Sequence, residues 1–181
     1  MCRFLPAKAE LQLEGFDLFL SEGDEHKRRV AVYINEQLKA EEIKIVSNYH
    51  ERPWLKLKLK GSDELLVGCI YKSLNSDKEI LTLLNKIIIK APLMKQFSHL
   101  LIMGDFNYPK LDWTNWNSKG DKEGDVFMES IRDSFLYQHV EGYTRTRESS
   151  EPSIIDLILN DMLVSISIIY PKSNIWSATW S

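Results

Sequence analysis

Two polar side chains that could handle phosphate, Asp105 and Asn107, follow an apolar run that ends at Gly104. The run 99–103 predicts a buried strand, and Pro109 keeps the residue before it out of helical backbone angles. Alternate residues of an extended chain face one side, so we expect the carboxylate and the amide to project together. A carboxylate can hold a metal ion or accept a proton, and an amide can donate to a phosphoryl oxygen. The pair is therefore suited to phosphate chemistry, although Asp and Asn are also common in ordinary turns.

Asp156 is a second carboxylate in an unusual setting. It stands within the apolar stretch Ser-Ile-Ile-Asp-Leu-Ile-Leu, and burying a carboxylate is costly unless it has a partner. We therefore expect Asp156 to belong to a site. Tyr71, at the end of the apolar run 65–71, has two interpretations: a site hydroxyl, or a strand-end aromatic with no further role.

The stretch Gly-Asp-Phe-Asn-Tyr-Pro-Lys-Leu-Asp-Trp at 104–113 closely resembles the endonuclease/exonuclease/phosphatase superfamily. Within that superfamily it is most similar to the endonuclease domains of non-LTR (LINE-type) retrotransposons. The resemblance covers about residues 15–170 of a chain that we treat as one domain, 1–181. It implies an α/β fold, a two-sheet β-sandwich flanked by helices in a four-layer α/β/β/α, deoxyribonuclease-like arrangement, here incomplete.

The resemblance also implies a set of site residues. The expected catalytic residues are Tyr71, Asp105, Asn107 and Asp156; the expected substrate-binding residues are Lys72 and Arg145. Asp105 is, in addition, the position expected to contribute to a metal site. Lys72 stands where the family has Arg, which keeps the charge but loses bidentate phosphate geometry.

The implied activity is metal-dependent nicking of target DNA, with Mg²⁺ or Mn²⁺ as cofactor and a reverse transcriptase in the parent element as a further partner. Two family motifs lack a match. A Thr-Glu-Thr-Trp-like motif supplies the metal-binding Glu, and neither Glu10 nor Glu14 has that context. A Ser-Asp-His motif supplies the His that pairs with the Asp156 position, yet no histidine follows His139.

These departures leave three functional hypotheses open. The first is a truncated or degenerate endonuclease with impaired catalysis, so whether the chain is an enzyme stays uncertain. The second is a non-catalytic binding module of the same fold. The third is a phosphatase or lipid phosphodiesterase of the superfamily, against which the Tyr-Pro and Asp-Trp extension argues.

Composition and charge limit the partners and the cellular compartment that we expect for the protein. The 181 residues carry a net charge of -3, which argues against a tight sequence-independent DNA binder, since phosphate neutralisation dominates such binding. The basic cluster 26–29 is either a phosphate-facing patch or a solvated loop, and we favour the loop. Two cysteines, no signal-peptide pattern and no long apolar run predict an intracellular protein, nuclear or cytoplasmic, with no membrane partner.

The elements that must position these side chains follow from hydrophobic periodicity. Strands are predicted at 30–34, 43–47, 54–60, 65–71, 99–103, 153–160 and 164–170. Residues 65–71 form a central strand buried on both faces, and the alternation at 54–60 gives an outer face of Lys56, Lys58 and Lys60. A capping box at 76–79 begins one helix, which ends before Pro92. A second helix has the apolar stripe Phe127, Met128, Ile131 and Phe135.

Overall fold

The computed structural model describes residues 11–21, 30–45, 53–147, 150–161, 167–169 and 177–179. Two α-helices are formed in these ranges, α1 (Lys78–Lys90) and α2 (Lys122–Asp133). The strands are β1 (Phe16–Leu20), β2 (Ala31–Asn35), β3 (Glu41–Ile43), β4 (Trp54–Lys58), β5 (Glu64–Tyr71), β6 (His99–Asp105), β7 (Tyr137–Gln138), β8 (Arg145–Arg147), β9 (Ser150–Ser153), β10 (Asp156–Asn160), β11 (Ser167–Ile169) and β12 (Ser177–Thr179).

A six-stranded mixed sheet is the centre of the fold, in the order β3-β4-β5-β6-β10-β7. Strands β5 and β6 are parallel, and α1 forms the crossover between them; the other neighbours in this sheet are antiparallel. Three antiparallel pairs, β1–β2, β8–β9 and β11–β12, accompany the sheet. The predicted strand at 65–71 is therefore confirmed as a central one.

Both faces of the central strands are apolar, as the continuous hydrophobic runs predict. One face packs against α1 and α2 through Leu66, Ile70, Leu100, Ile102, Leu157 and Leu159. The opposite face packs with Val32 of the β1–β2 pair through Leu55, Leu57, Leu65, Val67, Leu101 and Ile158. The result is an α/β sandwich, incomplete on the β1–β2 side, with helices covering the other side of the sheet.

Helix α1 begins one residue later than the predicted capping box requires. Asp77 is the N-cap, and its carboxylate accepts a hydrogen bond from the Ile80 backbone N–H at 2.9 Å. Ser76 instead donates its hydroxyl to the Ser73 carbonyl oxygen at 2.9 Å. The assignment of Ser76 as the cap is wrong, because its hydroxyl stabilises the preceding turn. The predicted end of the helix before Pro92 is confirmed.

Two further predictions change. Phe135 lies beyond the end of α2 in a left-handed conformation (φ 53°), and 82% of its surface is exposed, so it does not extend the apolar stripe. The strand expected at 43–47 is observed earlier, as β3. Residues 46 and 47, the basic cluster 26–29 and much of the strand expected at 164–170 lie outside the described residues.

The lysine face of β4 is not an open basic stripe. The Lys56 ammonium lies 3.1 Å from a Glu41 carboxylate oxygen and 3.6 Å from one of Glu64, on the two neighbouring strands. Lys58 ends the strand and is exposed, whereas Lys60 lies in the turn that follows. The described helices include none long and apolar enough to cross a membrane.

Among the described glycines, Gly104 has the closest contact with another segment of backbone, and it gives the first testable prediction. Its φ is +143°, and a Cβ added there would overlap the backbone carbonyl oxygen of Ile70 on β5. We expect Gly104→Ala to lower the free energy of unfolding by at least about 4 kcal/mol, because strain and a backbone clash add together. Urea unfolding followed by circular dichroism measures this loss.

Gly120→Ala is the matched control. Gly120 also has a positive φ (+82°), but a Cβ there would meet nothing within 4 Å. The control isolates backbone strain, which costs about 1–2 kcal/mol. Equal losses in the two variants would contradict the proposed contact between Gly104 and β5.

Candidate active site

Three of the side chains expected to act together stand in one row across the sheet. Tyr71 at the end of β5 pairs with Asp105 at the end of β6. Asp105 pairs in turn with Asp156, the first residue of β10. Directly paired residues of neighbouring strands present their side chains on the same face. The structure therefore brings Tyr71, Asp105 and Asp156 together, on the face of the sheet opposite the helices.

The two carboxylates share a partly buried setting, and both titrate above their usual range. Burial raises the pKa of Asp105 to about 6, and the negative charge of Asp156 adds to this shift. The Asn107 backbone N–H, Lys72 and Arg145 act in the opposite direction on the same pKa. Burial also raises the pKa of Asp156. A carboxylate pair of this kind favours a bound proton or cation between its members.

Thr144 holds the Asp156 end of the row, a role that the sequence did not predict for it although the Thr-Arg pair 144–145 resembles the family. Its Oγ1 accepts hydrogen bonds from the backbone N–H groups of Ile155 (3.0 Å) and Asp156 (3.1 Å). A hydrogen bond between the Thr144 side chain and the Asp156 carboxylate also opposes the rise in the pKa of Asp156. The one sequence feature that could have indicated this role is that Thr144 stands next to Arg145, although both are distant in sequence from Asp105.

Asn107 reaches the site by a different route from the one predicted. The strand ends at Asp105, and Asn107 has a left-handed backbone (φ 48°), so strand alternation does not apply to it. Its backbone N–H donates to the Asp105 carboxylate at 3.1 Å. Its side-chain Nδ2 donates to the backbone carbonyl of Lys72 at 2.9 Å. The expected proximity of Asp105 and Asn107 is present, but it comes from a turn.

Lys72 is buried, with 4% of its surface exposed, and its ammonium faces the protein. The ammonium donates to the Asn107 carbonyl oxygen at 3.3 Å and lies 4.2 Å from the centre of the Tyr108 ring. Burial lowers the pKa of Lys72, and Glu123, Asp121 and Asp105 oppose that shift. Lys72 is one of the two residues expected to bind substrate. In the structure its ammonium contacts the turn at Asn107.

Arg145, at the start of β8, is the second residue expected to bind substrate. It is partly buried, and its charge acts on the pKa of Asp105, which places it near the carboxylate pair. Its Nε is buried and has no hydrogen-bond partner among the described residues. A positively charged donor whose charge acts on Asp105 is suited to an anionic oxygen at this site.

The donor set offers a hard cation oxygen ligands, which is the chemistry that Mg²⁺ prefers. Asp105 and Asp156 supply carboxylates in neighbouring positions. The described residues contain no group of three or more His, Cys, Asp or Glu side chains arranged to hold a metal. Asp105 and Asp156 thus offer the type of ligand that a divalent cation takes, without forming a full ligand set among the described residues.

The mixed sheet and the outer helices form the fold seen in endonuclease/exonuclease/phosphatase proteins. The chain belongs to the endonuclease–reverse transcriptase family, whose model matches residues 65–177. No curated protein sequence matches the chain.

Solved structures of the class share the fold at low sequence identity. The endonuclease domain of TRAS1, a telomere-specific non-LTR retrotransposon, matches with a TM-score of 0.57 at 18% identity, covering 81% of this chain and 65% of that domain. An endonuclease/exonuclease/phosphatase family protein from Bacteroides thetaiotaomicron matches with a TM-score of 0.53 at 15% identity, covering 92% of this chain and 71% of that one. A mannosyl-6-phosphatase of the same organism gives 0.53 at 16% identity, covering 92% and 73%. The chain thus spans less than two thirds of the TRAS1 domain.

The raised pKa of Asp105 predicts a stability change with pH. The folded protein holds a proton on Asp105 up to about pH 6, whereas the unfolded chain releases it near 3.8. Between these values the folded state binds more protons, so the Asp105 contribution to stability falls as pH rises. We expect Asp105→Asn to be more stable than the wild type at pH 7.5 by roughly 1–2 kcal/mol, discounted for partial exposure.

Urea unfolding at pH 4 and pH 7.5 measures this difference, which should nearly vanish at the lower pH. Asp133→Asn, at the exposed end of α2, removes a carboxylate away from the site and serves as the control. A stability gain in Asp105→Asn that is the same at both pH values would contradict the assignment.

Proposed function

We propose that this domain is a metal-dependent phosphodiesterase that nicks DNA, as the endonuclease of a non-LTR retroelement. The observation that carries the proposal is the paired carboxylates Asp105 and Asp156 at adjacent strand ends, with Tyr71 beside them. Family membership and the fold shared with the TRAS1 endonuclease domain support it. In the parent element, a reverse transcriptase would be the partner domain.

Each side chain of the row has a chemical role in this proposal. Asp105, ionised above about pH 6, contributes a cation ligand or accepts a proton from the attacking water. Tyr71 donates its hydroxyl to an oxygen of the scissile phosphate. An amide nitrogen carries two hydrogens, and Asn107 gives one to the Lys72 carbonyl. We assign the other to a phosphoryl oxygen, where it stabilises charge without adding any.

Arg145 and Asp156 act at the other side of the row. Arg145 is assigned to a non-bridging phosphate oxygen, because the side chain is only partly buried and its positive charge acts on Asp105. Asp156, held by Thr144, adds a second carboxylate beside Asp105, which when ionised would complement a cation there. A divalent cation bound there, Mg²⁺ or Mn²⁺, would supply Lewis acidity toward the phosphate and lower the pKa of a bound water.

We also propose that catalysis by this chain is impaired. Its sequence has no histidine after His139, and neither Glu10 nor Glu14 has the context of the family's metal-binding Glu. Losing one member of a catalytic group that acts as a unit can cost nearly as much as losing all of it. A slow nicking reaction that still depends on Asp105 is the expected behaviour.

Nicking of supercoiled plasmid in Mg²⁺ or Mn²⁺, with an EDTA control, tests the proposal. We expect slow conversion to the open circle by the wild type. Asp105→Asn should reduce it by at least about 100-fold, because the residue acts on the reacting groups, and Tyr71→Phe by about 10-fold. Asp133→Asn, at the exposed end of α2, should nick at the wild-type rate.

Other results would decide between the alternatives. Nicking that survives in Asp105→Asn would contradict the assigned site. DNA binding by folded protein with no nicking in any metal would favour a non-catalytic binding module. Release of phosphate from a sugar monophosphate, without nicking, would favour the phosphatase alternative that the mannosyl-6-phosphatase neighbour raises.

A further inference from the structure

We propose that Lys72 is a positioning residue that holds Asn107 in its left-handed turn, and that it does not contact the DNA phosphates. The inference deepens the proposed function, because it concerns the same site. It reverses the role that the sequence suggests for this lysine. The geometry that carries it is a closed set of contacts between the end of β5 and the turn after β6.

Lys72 and Asn107 are joined in both directions. The Lys72 ammonium donates to the Asn107 carbonyl at 3.3 Å, and the Asn107 side chain donates to the Lys72 carbonyl at 2.9 Å. The Lys72 backbone N–H donates to the Asp105 carbonyl at 2.7 Å. Asn107 is itself 8% exposed. Any movement of the ammonium therefore changes the turn that presents the Asn107 amide.

An aromatic stack forms the floor under the ammonium. The Tyr108 ring, 4.2 Å below the Lys72 Nζ, stacks on Phe127 of α2 with ring centroids 4.6 Å apart. Phe127 also contacts Phe106 at 5.3 Å. Both rings flanking Asn107 in sequence are buried in the helix-side core. Lys72 thus completes the packing of the turn from the side of β5.

Energetics separate a positioning role from a merely structural one. A buried ammonium loses its hydration, which is costly, so replacing it by an apolar side chain of similar size removes a cost that offsets the lost hydrogen bond to the Asn107 carbonyl. Methionine at position 72 should therefore preserve the fold while releasing the turn. If Lys72 were needed only for stability, Lys72→Met would destabilise the fold and leave the turn in place.

Salt dependence separates positioning from phosphate contact. Each phosphate that a protein neutralises contributes about −0.9 to the slope of log K against log salt concentration. Since the Lys72 ammonium faces inward, Lys72→Met should leave that slope unchanged. Arg145→Met, which removes the charge assigned to a phosphate oxygen, should reduce its magnitude by about 0.9.

The experiment uses the whole 181-residue chain, labelled with ¹⁵N, in five forms: wild type, Lys72→Met, Lys72→Arg, Lys56→Met and Arg145→Met. NMR measures the exchange rates of the backbone and side-chain amides of Asn107, and a thermal melt measures Tm. Binding to a short DNA duplex at several salt concentrations measures the slope. Lys56→Met is the control, because it removes a partly buried, ion-paired lysine from β4 of the same sheet.

We expect at least 5-fold faster exchange (an estimate of about 1 kcal/mol from one hydrogen bond) at Asn107 in Lys72→Met, with Tm and salt slope unchanged. Lys56→Met should leave Asn107 exchange as in the wild type. Wild-type exchange in folded Lys72→Met would overturn the proposal, as would a slope that is shallower by about 0.9. A large fall in Tm would assign Lys72 a structural role and also overturn it.

Two further comparisons allow a conclusion if Lys72→Met does not fold or if the wild type does not act on DNA. If Lys72→Met does not fold, Lys72→Arg replaces it: the planar guanidinium differs in shape from an ammonium, so Asn107 exchange should still accelerate. Wild-type exchange in folded Lys72→Arg would then overturn the proposal. If the wild-type chain neither binds nor nicks DNA, the proposed function fails, whereas Asn107 exchange still decides the role of Lys72.

Discussion

The parallel register between β5 and β6 is the constraint on which the site depends. It sets Tyr71 beside Asp105, and the antiparallel register of β10 sets Asp156 on the other side of Asp105. Side chains alternate between the faces of a sheet, so a slip of one residue would turn a carboxylate toward the helices. That side holds the buried Phe106 and the aromatic cluster around Phe127, which offers a carboxylate no hydration.

Packing and electrostatics are linked at this sheet end. Near its end β6 passes through Gly104, where the backbone of Ile70 approaches too closely for any side chain, and Asn107 then takes a left-handed conformation. Aromatic side chains on either side of Asn107 anchor this turn in the core. Asp105 and Asp156 lie on the opposite face of the sheet, and their burial there raises the pKa of both. The strand pairing that places the two carboxylates side by side therefore also affects their protonation.

The local sequence pattern predicts the strands and helices. The features that it did not predict depend mostly on contacts between segments distant in sequence. Continuous apolar runs identified the central strands, and the isolated Asp156 in such a run predicted a site residue, which the strand register places beside Asp105. The left-handed turn at Asn107 and the inward ammonium of Lys72 depend on segments that meet only in the fold. The contact between Thr144 and the backbone of Asp156 depends on the fold in the same way. Phe135 fitted the helical period, but α2 had already ended.

The crossover between β5 and β6 also has a consequence for the order of folding. The segment between β5 and β6 contains the whole of α1. Pairing the two strands therefore closes a long loop, which costs chain entropy. Strand β10 joins later in the sequence still, from beyond α2. During synthesis, Tyr71 and Asp105 leave the ribosome well before Asp156. The carboxylate pair thus assembles at a late stage, so a nascent chain carries its helices long before it carries a site.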